Sequence, residues 1–143
     1  MSFFTIAFLL MNAGEYFLGM RIFLFWKPVL WLLIIALLSL MPGNELPQIP
    51  LFAGADKLVH AVLYAGLAVL LIRPLLQLKF VYPYWFAVAI SLAIGGVIEI
   101  VQGSLATGRS GSWFDFWANL GGALLGILFF RVAVAGKKWE PLF

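Results

Sequence analysis

"VLWLLIIALLSL", Val29–Leu40, is twelve residues with one hydroxyl and no charge. A strand of a membrane barrel alternates apolar and polar positions over about 10 residues. This run does not alternate, so its spacing predicts a helix surrounded by apolar matter. The rest of the chain is of the same kind. Of its 143 residues, 64% are hydrophobic and 10% charged, whereas a soluble domain is nearer half apolar and a quarter charged. A globule of this length has too little interior to hide so much apolar surface. A lipid bilayer is the solvent that fits, and the length allows four or five helical spans of about 20 residues. The expected fold is all-α: a polytopic membrane protein, a four-helix transmembrane bundle with an N-terminal interfacial or extended helix.

Four spans can be drawn outward from the quoted run. The first covers 22–41, with Lys27 placed to snorkel, and stops at "MPG", 41–43. The second covers 57–73 and closes at Arg73-Pro74. The third covers 84–103 behind the aromatic "VYPYW", 81–85. The fourth covers 114–131 and ends in Arg131. Residues 1–21 read as an interfacial segment or an extension of the first span, 22–131 as the membrane domain and 132–143 as a loose cytoplasmic tail. "SFFTIAFLLM", 2–11, is half the length needed to span and has no basic residue before it, so it does not read as a secretory signal. Met20, opening "MRIFLFWKP", reads as an alternative start.

The basic residues set the orientation. Arg21, Lys27, Arg73, Lys79, Arg131, Lys137 and Lys138 fall on one side, and Lys57 and Arg109 on the other. By the positive-inside rule both termini are cytoplasmic, and the 42–56 and 104–113 loops face outward. The first of these loops, with three prolines and two glycines, reads as irregular.

That topology gathers polar residues at the outer end. The second span opens with Asp56, Lys57 and His60. The third ends with Glu99 and Gln102, the fourth opens with Asp115 and Asn119, and Arg109 lies in the loop between them. Asp56 and His60, like Asp115 and Asn119, are four apart and share a helix face. At about 1.5 Å per residue, His60, Glu99 and Asn119 lie roughly 4–8 Å below the helix ends. Ionisable groups inside a bilayer are costly, so they are expected to turn inward and meet. The three acids and two bases also sum to about −1 with a neutral histidine, so the same set would serve as a self-neutralising lock.

The chemistry open to this set is bounded. His60, Glu99 and Asp115 are the candidate catalytic groups, as a general base or acid. Asp56, Lys57, His60, Glu99, Gln102, Arg109, Asp115 and Asn119 are the candidate ligand-binding set, with Arg109 suited to a phosphate or carboxylate. No cofactor is expected, and although His60 with two carboxylates is a conceivable metal site, none is expected: the chain has no cysteine and neither a C-x-x-C nor an H-E-x-x-H pattern. Ser104, Ser110 and Ser112 lack a nucleophile elbow. "GRSGS", 108–112, lacks the residues of a nucleotide-binding loop. Small residues at 118, 122 and 126, and Ala89, Ala93 and Val97 beside Gly95 and Gly96, predict close helix packing.

Three stretches together, "DKLVHAVLY" (56–64), "IEIVQ" (98–102) and "GRSGSWFDFWANLGGALLG" (108–126), resemble the VanZ-like family of small bacterial membrane proteins. The likeness covers residues 22–131. It implies a multi-pass protein of the bacterial plasma membrane acting at the cell envelope, and the family takes its name from a protein associated with resistance to the glycopeptide teicoplanin. The polar set the resemblance implies is the set the topology selects. The expected partners are membrane lipids, a lipid-linked glycan or a glycopeptide, with no nucleic acid. Three roles stay open: binding or handling an amphipathic envelope molecule, hydrolysis or transfer on a lipid-linked phosphate, and a structural lock.

Overall fold

The computed structural model describes residues 23–41, 54–104 and 113–143. Among them are four α-helices and no strand: α1 (Trp26–Leu40), α2 (Ala55–Gln77), α3 (Pro83–Ser104) and α4 (Trp113–Phe129). A π-helical turn, Phe130–Val134, prolongs α4, and a 3₁₀ turn, Glu140–Leu142, closes the chain. The expected N-terminal segment, most of the 42–56 loop and Arg109 lie outside the described residues.

The end of α1 and both ends of α2 have local causes. Met41 is extended (ψ 131°), as a residue preceding proline must be. Gly54, at φ +91°, turns the chain into α2. At the far end of α2, Lys79 adopts φ +58°. Its N–H donates to the Leu76 carbonyl and that of Phe80 to the Leu75 carbonyl, both at 3.0 Å, a Schellman closure with a lysine where glycine is usual. The second span therefore does not close at Arg73-Pro74. Proline removes one N–H donor, but α2 runs one turn further, and the Leu78 N–H reaches the Pro74 carbonyl at 2.9 Å.

Three helices are long and apolar enough to cross a membrane: Ala55–Gln77, Pro83–Ser104 and Trp113–Val134. α1 is apolar but has 15 residues, about 22 Å against a hydrocarbon core of about 30 Å. α2 is the central helix. Tyr64, Leu67, Ala68, Ile72 and Leu75 are fully buried against the other helices. The outside is the reverse of a soluble surface: Leu33, Val62, Ile100, Leu125 and Val132 are all exposed. Exposed aromatic residues ring both ends, with Tyr82, Trp85 and Trp139 at one and Trp113 and Trp117 at the other.

Chain direction follows from the contacts. Gly122 of α4 lies against Ala61 of α2, and Gly126 against Ala65. The numbers rise together, so α2 and α4 run parallel. A Cβ on Gly122 would meet the Ala61 Cα at 2.7 Å, and one on Gly126 would meet the Ala65 Cα at 3.0 Å. The 122/126 stripe thus packs as expected. The α3 stripe does not: Ala89, Ala93 and Val97 are exposed, and α3 buries Ala87, Ser91 and Gly95 instead. Both triplets repeat every four residues, and spacing alone does not choose between neighbouring faces of one helix.

The tail is packed rather than loose. Trp139 Nε1 donates to the Ala133 carbonyl at 2.8 Å, and the Gly136 N–H to Glu140 Oε2 at 2.7 Å. Lys27 Nζ donates to the carbonyls of Leu142 and Phe143. Arg73 lies 3.9 Å from Glu140. The single acid of "GKKWEPLF" and its backbone carbonyls answer the cations at this end of the bundle, which is why a short polar tail finds partners there.

Candidate functional site

The N-terminal ends of α2 and α4 meet the C-terminal end of α3, so three helices deliver polar groups to one level. His60 lies two turns into α2 and is 6% exposed; Asn119 lies two turns into α4 and is 1% exposed. His60 Nδ1 and Asn119 Oδ1 are 3.1 Å apart. With the amide oxygen as acceptor, Nδ1 donates and Nε2 keeps its lone pair. The glycine contacts of α4 make this reach possible. Asn119 stands one turn before Gly122, where the α2 and α4 backbones touch.

Two carboxylates join the imidazole. One ligand atom each of His60, Glu99 and Asp115 lie within 4.8 Å of one another. Glu99 and Asp115 are half-buried, and Asp115 Oδ1 is buried with no hydrogen-bond partner among the described residues. If both acids were ionised they would repel by roughly 3–4 kcal/mol at an effective dielectric near 20. The arrangement is suited to a basic side chain or a bound cation.

Tyr64 completes the floor. It lies one turn below His60, is 1% exposed, and stacks with the imidazole at 6.3 Å between centroids and 3° between planes. Gly95 makes room for it: a Cβ there would lie 3.3 Å from the Tyr64 hydroxyl and 2.9 Å from Asn119 Nδ2. Sequence reasoning missed Tyr64, although Asp56, His60 and Tyr64 recur every four residues on one face of α2.

The remaining expected residues divide. Gln102 is buried; its Nε2 donates to the Ser39 carbonyl and ties α3 to the end of α1. Asp56 and Lys57 form a half-exposed ion pair at 2.7 Å. Trp113 and Trp117 are exposed on the outer surface of α4. An apolar groove of about 460 Å³, lined by Trp31, Ala65, Gly66, Val69, Leu125 and Phe129, opens between α1, α2 and α4. Ala65, Gly66 and Val69 are roughly 120–180° around α2 from His60 at 3.6 residues per turn, so the groove does not continue from the polar cluster.

No family model, no curated protein and no solved structure matches this chain.

Proposed function

We propose that this chain is a VanZ-like integral membrane protein of the bacterial plasma membrane, a four-helix bundle that engages the polar part of an amphipathic envelope molecule at its outward end. The carrying observation is the convergence of His60, Glu99 and Asp115, from three helices, within 4.8 Å. Orientation follows from charge. Of the seven described basic residues, Lys27, Arg73, Lys79, Arg131, Lys137 and Lys138 lie at one end of the bundle and Lys57 at the other. By the positive-inside rule the first end, with the C-terminus docked on it, is cytoplasmic.

The chemistry supports a polyhydroxylated headgroup. Two carboxylates accept hydrogen bonds from hydroxyls, an amide both donates and accepts, and Arg109 is the residue suited to a phosphate. A lipid-linked glycan or a glycopeptide carries such groups. A second reading rests on the oriented imidazole: His60, with Nδ1 held by Asn119, would use Nε2 as a general base in hydrolysis or transfer on a lipid-linked phosphate.

Untargeted mass spectrometry of the lipids retained by wild type, Arg109→Ala and Asp115→Asn tests the first reading. A glycolipid or phospholipid species depleted in both folded variants supports it, and three identical profiles refute it. Product formation that disappears in a folded His60→Gln would transfer the reading to an enzyme.

A further inference from the structure

We propose that His60, Glu99 and Asp115 form a binding site for one divalent transition-metal ion of the zinc or manganese kind. The donors are one imidazole nitrogen and two carboxylate oxygens on three different helices, all within 4.8 Å of one another. An ion at the centre of such a triangle lies at most about 2.8 Å from each atom. Zinc bonds nitrogen and carboxylate oxygen at about 2.0–2.2 Å, so each ligand has to close by less than about 1 Å, within the reach of small side-chain rotations.

Three further features fit an ion. His60 is buried and its ring is held by the Nδ1 contact with Asn119; outer partners of this kind orient metal-bound histidines. Asp115 Oδ1 is buried without a hydrogen-bond partner among the described residues. Two carboxylate donors match the double charge of such an ion. Mixed imidazole and carboxylate donors suit zinc or manganese better than calcium, which takes six to eight oxygens. Three protein ligands leave coordination positions open, as in zinc sites that bind or activate a further group. The expectation that no metal binds rested on the absence of local motifs, and such motifs detect only ligands that are neighbours in sequence.

The open positions would take water or a phosphate oxygen of the amphiphile. That last step rests on the proposed function; the binding of the ion does not.

The test uses the full chain in detergent, stripped with EDTA and dialysed against Zn(II) alone or Mn(II) alone, with metal per chain measured by plasma mass spectrometry. Wild type is expected to take up about one ion, and His60→Ala and Asp115→Asn to bind at least tenfold more weakly. Asp115→Asn keeps the side-chain shape and decides the matter if His60→Ala does not fold. Stripped wild type that takes up no ion, or folded Asp115→Asn that binds like wild type, overturns the site. Retained lipids are measured before and after stripping. An ion that binds while the lipids stay unchanged upholds the metal and removes the phosphate ligation. Lipids lost in Asp115→Asn with no ion in wild type remove the metal and leave the headgroup reading standing.

Discussion

Replacing Gly122 by alanine adds one methyl group at the tightest point of the molecule. The new Cβ would stand 2.7 Å from the Ala61 Cα and closer still to the Ala61 carbonyl oxygen. Comfortable carbon–carbon contact begins near 3.5 Å. Both opposing atoms are backbone, so no side chain can swing aside, and α2 and α4 must separate by about 1 Å. Overpacking of this sort costs about 1–3 kcal/mol, a factor of roughly 5 to 150 in the folding equilibrium. The separation also carries Asn119, one turn away, from His60. A 3.1 Å contact lengthened to about 4 Å is no longer a hydrogen bond. The assay is equilibrium unfolding in mixed detergent followed by circular dichroism, with histidine ¹⁵N shifts to report the Nδ1 contact. Gly121→Ala is the control, because nothing lies within 4 Å of a Cβ built there; it is expected to be neutral or slightly stabilising. The reasoning fails if Gly122→Ala unfolds like wild type, or if both variants lose the same stability.

Gln102→Leu removes the side-chain donor that reaches the Ser39 carbonyl. A loss of about 0.6–1.7 kcal/mol is expected, the range for hydrogen bonds between membrane helices, together with faster amide exchange near Ser39; unchanged exchange there would show that Gln102 does not hold α1. Lys79→Gly relieves a left-handed residue at φ +58° and is expected to add about 1 kcal/mol, whereas Lys79→Ala, which keeps the Cβ, should add nothing. Equal melting of the glycine and alanine variants would contradict the strain argument.

The helical character and the rough extent of the chain's elements were legible because they are written locally. An uninterrupted apolar run such as Val29–Leu40 has one low-energy form in an apolar medium, the form that satisfies its own backbone. The meeting of His60, Glu99 and Asp115 was legible too, through alternating chain direction and the depth of each residue below its helix end. Fine positions were less so. Pro74 reads as a stop from its own chemistry, yet the last turn of α2 is closed by groups beyond it, at Leu78, Lys79 and Phe80. The tail "GKKWEPLF" reads as solvated, because nothing in it names Lys27, Arg73 and Ala133 as partners.

By itself, then, the sequence determined that the described chain is helical and apolar, and which end of each helix carries polar groups, since those properties depend on composition and on rise per residue; four spans were expected, and three of the described helices are long enough to cross a membrane. Tertiary structure alone decided which face of each helix turns inward. Gly95 rather than Ala93 packs on the core, Gln102 bonds to the Ser39 carbonyl, and Tyr64 lies under His60. Those choices depend on the rotation of one helix against another. That rotation is set by the closest backbone approach, Gly122 and Gly126 against Ala61 and Ala65, and such an approach is a property of two segments together rather than of either one.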